Sequence, residues 1–151
     1  MQIALDANIL IGLMDSQDIW HAKATALYTA IKSMGAEEII SDCCLTEALS
    51  VIGRRLHEKG RSADWNSIFQ RVLNDYPPER LTWILPDCPR LYREVTDLMF
   101  RSNAELNFND ALLAVSCRER KVILLASFDH DFDQIDWLTR IERPADLSEF
   151  K

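Results

Sequence analysis

Glycine is scarce in this chain, with four in 151 residues, and neither G-x-G-x-x-G nor G-x-x-x-x-G-K occurs. The phosphate cradles of nucleotide-binding α/β proteins are therefore missing. No apolar run approaches the ~20 residues that a membrane helix needs. The four cysteines, Cys43, Cys44, Cys88 and Cys117, include no C-x-x-C spacing and fit neither a zinc site nor a disulfide framework, so they read as reduced thiols in or near the core. The three histidines, His21, His57 and His130, are isolated from one another and from the cysteines, which leaves no histidine-based metal site. Positive charge is also short, since 17 Lys and Arg face 24 Asp and Glu for a net charge of −7. That balance is the opposite of a general nucleic-acid binder's. The opening Met-Gln-Ile-Ala-Leu-Asp lacks a basic leader region, and a cytoplasmic protein with no membrane association is expected.

What is present is an ordinary globular composition, 48% hydrophobic and 27% charged, in a length that fits a single domain over 1–151. Ile3-Ala4-Leu5 is a short apolar segment of the kind found in a strand buried on both faces. Ile9–Met14 suits a short helix, and Ile19–Met34 a longer one that Gly35 can end. Glu38–Ser41 is the second strand candidate. Leu45, Leu49, Ile52 and Leu56 recur at helical steps within Asp42–Lys59, ahead of Gly60. A helix over Ser62–Asn74 and a third strand over Arg80–Leu85, stopped by Pro86, are expected next. Helices over Arg90–Arg101 and Asn107–Arg120 follow, then a strong β-rich run, Lys121–Ala126, and a last strand near Leu138–Ile141. Strands alternating with helices predict an α/β fold, a central parallel sheet of about four or five strands covered on both faces.

Asp6, Glu47, Asp110 and Asp129 each fall where a strand gives way to a helix or loop, or in a helix's opening turns. In an open parallel sheet those places gather along one edge, so acids spread along the chain can converge there. Each has an ordinary alternative: Asp6 can cap a turn, Glu47 can be a solvated helix residue, Asp110 can serve the helix dipole, and Asp129 and Asp131 can form Asx turns. Converging acids without matching bases imply a bound cation, for which hard oxygen donors suit Mg²⁺ or Mn²⁺. The basic residues Arg54, Arg55, Lys59, Arg61, Arg118, Arg120 and Lys121 collect at the helix ends away from these acids, and read as solvated surface.

The order of the fragments is more specific than any one of them. Leu5-Asp6-Ala7-Asn8-Ile9-Leu10, then Ser41 through Thr46-Glu47-Ala48-Leu49, then Asn109-Asp110-Ala111-Leu112-Leu113-Ala114, then Leu124-Leu125-Ala126-Ser127-Phe128-Asp129-His130-Asp131-Phe132 resembles the PIN-domain ribonucleases. More narrowly it resembles the VapC-type toxins of prokaryotic toxin–antitoxin pairs. The resemblance implies a three-layer α/β/α PIN-like domain and a metal-dependent endoribonuclease. It implies catalytic and Mg²⁺ or Mn²⁺ ligand roles for Asp6, Glu47, Asp110 and Asp129, with Asp131 a fifth or substitute metal ligand. Asn8 and Ser127 would support the site, Ser127 standing where the family usually has Thr. An RNA substrate, an antitoxin protein and a homodimer are the implied partners. Trp20 and Tyr28, eight apart on one helix with Ala24 between, could form part of a partner groove. Two other readings fit parts of the pattern: an inactive protein-binding module with the same fold, and a phosphatase using Asp6 as nucleophile. The second is disfavoured by Asn8, which stands where a second acid would act as proton donor.

Overall fold

In a computed structural model that describes residues 1–150, four strands form one parallel sheet in the order β2-β1-β3-β4. These are β1 (Gln2–Leu5), β2 (Glu37–Ile40), β3 (Leu124–Ala126) and β4 (Thr139–Ile141). Six α-helices cover the sheet: α1 (Ala7–Met14), α2 (His21–Ser33), α3 (Asp42–Glu58), α4 (Trp65–Asp75), α5 (Cys88–Arg101) and α6 (Phe108–Glu119). The result is the expected three-layer α/β/α arrangement. Its sheet core is fully apolar, with Ile3, Ala4, Leu5, Leu125 and Ala126 all inaccessible to solvent, as strands covered on both faces require.

The register positions the functional edge. Leu5 pairs with Ile40 on one side and Ala126 on the other, and Ala126 pairs with Ile141. The strands therefore end in line, and the residues that follow, Asp6 and Ser127 among them, are neighbours. Backbone hydrogen bonds extend this alignment by one residue, Asp6 N–H to the Ala126 carbonyl at 3.0 Å and Ser127 N–H to the Ile141 carbonyl at 3.1 Å. The chain leaves β1 toward β2 on one side and returns to β3 on the other, so the gap between β1 and β3 is the topological switch point where ligands of open α/β sheets bind.

Helix α1 crosses α2 closely at Gly12, where an added Cβ would stand 2.8 Å from the Ala24 Cβ. Both helix-ending glycines anticipated from the sequence adopt the left-handed conformation, Gly35 at φ +66° and Gly60 at φ +67°.

Two expected elements are corrected. Arg80–Leu85 is not a strand. Pro78 and Pro86 sit in 3₁₀ turns (Pro78–Arg80 and Leu85–Asp87), and only Thr82 makes a parallel bridge, to Ser41. The buried Asp42 carboxylate accepts from the N–H groups of Ile84 (2.8 Å) and Leu85, which draws those donors away from a sheet ladder. The run from Lys121 is the second correction, because its first three residues are not strand. Lys121 takes φ +58°, its N–H meets the Arg118 carbonyl and Val122 N–H meets the Cys117 carbonyl, so the segment closes α6 before β3 begins at Leu124. Smaller shifts are that α2 begins at His21, and that the helix expected from Ser62 starts as a 3₁₀ turn before α4.

The basic groups at the helix ends make defined ion pairs. Arg61 binds Asp15 at 3.1 Å, Arg55 binds Asp18 at 2.7 Å and Arg120 binds Asp87 at 2.9 Å, while Arg118 pairs with Glu94. Cys43, Cys44 and Cys117 are buried free thiols and Cys88 is partly buried, as anticipated. No helix among the described residues is long and apolar enough to cross a membrane.

Candidate functional site

Asp6 ends β1 in an extended conformation and caps α1, its Oδ1 accepting from Ala7 N–H at 2.6 Å. Its Oδ2 accepts from Asn8 Nδ2 and from Ser127 Oγ, both at 2.6 Å. Asn8 also donates to Ser127 Oγ at 3.1 Å, and its Oδ1 accepts from Phe128 N–H at 3.1 Å. Ser127, wholly buried, in turn accepts from Asp129 N–H at 3.0 Å. One network thus joins the end of β1 to the loop after β3.

Glu47 lies in the second turn of α3, half-buried, and its Oε2 accepts from Asn109 Nδ2 at 2.9 Å. Asp110 occupies the third position of α6, where it closes a capping box. Asn107 Oδ1 accepts from Asp110 N–H, and Asp110 Oδ2 accepts from Asn107 N–H, each at 3.1 Å. Asp129 caps the 3₁₀ turn His130–Gln134 through Oδ1, which accepts from Asp131 N–H at 2.9 Å. The capping and turn roles open to Asp6, Asp110 and Asp129 are therefore real. They leave unused acceptor capacity, since an ionised carboxylate offers about four lone-pair sites.

The electrostatics distinguish this edge from the rest of the molecule. Burial pushes Asp6 up to about 7; the Ser127 hydrogen bond works against this, and the charges of Asp110 and Glu47 add to it. Asp110 is pushed up to about 6, again mainly by burial, with Glu47, Asp129 and Asp131 adding repulsion and the Asn107 N–H opposing. Asp131 is raised by partial desolvation and by Asp129 and Glu105. Asp15, Asp87, Glu119 and Asp133 behave in the opposite way, each held low by an arginine. None of the five site acids makes an ion pair with a basic side chain among the described residues. Asp110 therefore shares the fields of Asp6, Glu47, Asp129 and Asp131, without a basic partner among the described residues, and like charges so placed favour either protonation or a cation. The donor set is all oxygen, which fits Mg²⁺ or Mn²⁺. Among the described residues no three His, Cys, Asp or Glu side chains are already gathered into a metal cage. The acids are coupled through space, and their hydrogen bonds run to neighbouring amides and hydroxyls.

Three contributors escape the sequence reading. Asn109 orients Glu47, and Asn107 orients Asp110. The signal for Asn107 is the Asn-x-x-Asp spacing of a capping box, but nothing local ties Asn109 to a glutamate 62 positions away. Arg140 on β4 is a third. Its guanidinium donates to the Ser127 carbonyl at 3.2 Å, to Asp133 at 2.7 Å and to Glu142 at 2.7 Å, and so braces the loop that carries Asp129 and Asp131.

Of the two residues expected to share a partner groove, Trp20 is the N-cap of α2 and Tyr28 lies within the helix. Trp20 stacks on Phe128 with ring centroids 5.0 Å apart, whereas burial raises the Tyr28 phenol and the Glu38 carboxylate adds to that shift.

Comparison with known proteins gives a consistent result. The PIN domain family model matches residues 3–138. Among solved structures, the chain is similar to VapC20 of Mycobacterium tuberculosis, described as a sarcin–ricin loop cleaving toxin. The TM-score is 0.64 at 18% identity, covering 87% of this chain and 92% of that one. It is also similar to a chain of VapBC2 from Rickettsia felis, solved bound to a DNA fragment from its promoter, with TM-score 0.60 and 17% identity over 93% of this chain and 98% of that one. No curated protein matches the sequence.

Proposed function

Because this chain belongs to the PIN-domain family, we propose that it is a metal-dependent endoribonuclease that hydrolyses RNA phosphodiester bonds, the toxin component of a type II toxin–antitoxin system. The observation that carries this reading is the mutual field of acids from separate elements, with Asp6 pushed up to about 7 and Asp110 to about 6 and no base at hand. The similarity to VapC20 and VapBC2 supports the toxin assignment and an antitoxin protein as partner, and a homodimer belongs to the same proposal.

In this reading Asp6, Glu47, Asp110 and Asp129 are the catalytic acids and, with Asp131, the ligands of Mg²⁺ or Mn²⁺. When bound, the cation polarises the scissile phosphate and lowers the pKa of the attacking water. The chain's own residues prepare for that. Ser127 and Asn8 fix the rotamer of Asp6 by two 2.6 Å hydrogen bonds to Oδ2, while Ala7 N–H holds Oδ1. Asn109 holds Glu47 and the capping box holds Asp110, which keeps both acids oriented while ionised. No histidine general base is needed, and attack by water leaves a 5′-phosphate and a 3′-hydroxyl.

The test is RNA cleavage with and without Mg²⁺ or Mn²⁺. Cleavage should require the metal and be lost in the Asp6→Asn, Asp110→Asn double variant; metal-dependent cleavage that survives both changes rules the assignment out. A second reading, a catalytically inactive binding module, is favoured by the absence of any preassembled three-ligand group among the described residues. It predicts no thermal stabilisation by either cation.

A further inference from the structure

A cleft of about 210 Å³ opens between the start of α2, the loop after β3 and the segment after β4. Its apolar walls are Trp20, Ala26, Phe128 and Pro144. That volume is below the ~300 Å³ typical of drug-sized ligand pockets, so it suits one flat ring system and not a whole cofactor.

Both aromatic walls are held rigidly. The Trp20 and Phe128 rings stack at 5.0 Å with 22° between their planes. The Trp20 backbone N–H donates to Asp18 Oδ1 at 2.8 Å, and Asp18 Oδ2 is gripped by Arg55 of α3 at 2.7 Å. A second pair, Arg61 with Asp15, secures the same loop. Phe128 is fixed from the other side by its N–H bond to Asn8, the residue that also donates to Asp6. These bonds anchor the backbone from which each ring projects.

The rim charges are unequal. Glu142 is engaged by Arg140 at 2.7 Å and Arg143 by Asp146 at 3.2 Å. Lys23, whose Nζ sits 4.6 Å from the Trp20 ring centroid, has no carboxylate partner among the described residues. It is thus a cation held over an aromatic ring, with no carboxylate to neutralise it, at the rim of the cleft.

We propose that this cleft is a nucleobase subsite, in which one unstacked base of single-stranded RNA packs against the Trp20–Phe128 pair while Lys23 meets the adjoining phosphate. The proposal rests on the nuclease reading and names the form of its substrate. Aromatic stacking with a nearby cation is the general means of holding single strands, and duplex bases cannot reach such a surface. Phe128 and His130 of the cleft flank Asp129 in the chain, so a base seated here lies along the loop that carries that acid. The net charge of −7 makes this arrangement informative, because a local cation and a stack, not a broad basic face, would have to supply affinity.

The test uses the full chain carrying Asp6→Asn to silence cleavage, and a labelled short single-stranded oligoribonucleotide of mixed sequence read by fluorescence anisotropy. Trp20→Ala should weaken binding about tenfold and Trp20→Phe less than about threefold. Lys23→Gln, at an exposed position, should lower the slope of log K against log salt by about one even if Trp20→Ala fails to fold. The same sequence as a duplex should not respond to Trp20→Ala. Equal single-strand affinity in a folded Trp20→Ala chain, an unchanged salt slope in Lys23→Gln, or no binding by the parent overturns the subsite; the last result leaves the cleft to an aromatic protein segment. Cleavage by the unsubstituted chain, assayed separately, keeps the two readings apart. Trp20-sensitive binding without any cleavage discards the nuclease and keeps the subsite, and cleavage with Trp20-insensitive binding does the reverse.

Discussion

Ser127 Oγ donates to Asp6 Oδ2 at 2.6 Å across 121 positions of sequence. The hydroxyl is fully buried and serves three partners, accepting from Asn8 Nδ2 and Asp129 N–H while it donates to Asp6. It is the joint between the first acid and the loop bearing the last two. Strand register makes this contact, since Leu5 and Ala126 are paired and the next residue on each strand must be adjacent.

Ser127→Ala should therefore cost about 1–3 kcal/mol, the penalty for leaving buried hydrogen-bonding groups unmatched. The bond holds the Asp6 pKa down, so its loss should move the acidic limb of the pH–activity profile to higher pH. Ser127→Thr keeps the hydroxyl and should hold that limb in place. Urea melts and a pH profile of the two variants check this, and an unshifted limb in Ser127→Ala would remove Ser127 from the site.

Stability should fall as pH rises through the site's titration. Asp6 titrates near 7 and Asp110 near 6 in the fold, against 3.8 for a free aspartate. Between about pH 4 and pH 7 the native state holds protons that the unfolded chain has released, so the slope of unfolding free energy against pH is negative for these two groups. The arginine-bound acids, Asp15, Asp87 and Asp133, are lowered instead, and their contribution is lost only as pH drops below about 4. In metal-free buffer, Asp6→Asn should be less pH-dependent between pH 5 and 7 than the parent; identical slopes would contradict the buried, protonatable Asp6.

A divalent cation should invert that trend, since it binds the ionised acids. At a hundredfold excess over its dissociation constant, Mg²⁺ or Mn²⁺ should add about 2.7 kcal/mol, equivalent to roughly 5–10 °C in a domain of this size. Asp110→Asn should abolish the gain, and Asn109→Ala, which frees Glu47, should reduce it. Differential scanning calorimetry with and without cation, then with chelator, measures all three.

Gly12→Ala should destabilise the fold by about 1–3 kcal/mol, despite alanine's better helix propensity, because the new methyl meets Ala24 Cβ at 2.8 Å. The helix it disturbs begins at Asp6, so the same change should also weaken cation binding. A thermal melt that matches the parent would show that the α1–α2 crossing can relax at no cost.

The sequence by itself determined the elements whose signals are local. Apolar continuity marked β1, recurrence at steps of three and four marked α3, and Gly35 and Gly60 marked helix ends that do turn left-handed. It also determined the parallel α/β layering, because strands alternating with helices have few other ways to bury their faces. What it could not settle was any outcome decided by competition between distant groups. Arg80–Leu85 has strand-like residues, but the Asp42 carboxylate takes the Ile84 and Leu85 amides; Lys121 heads a β-rich run, but the end of α6 claims it.

The five acids were legible as candidates because each sits beside an element boundary. Their environment was not. The tertiary structure alone decided that Ser127 and Asn8 share Asp6, that Asn109 reaches Glu47, that Arg140 braces the loop after β3, and that Trp20 stacks on Phe128. The reason is physical: residue types and spacing govern local conformation, whereas a carboxylate's charge state depends on the burial and fields of groups that only the folded register brings near.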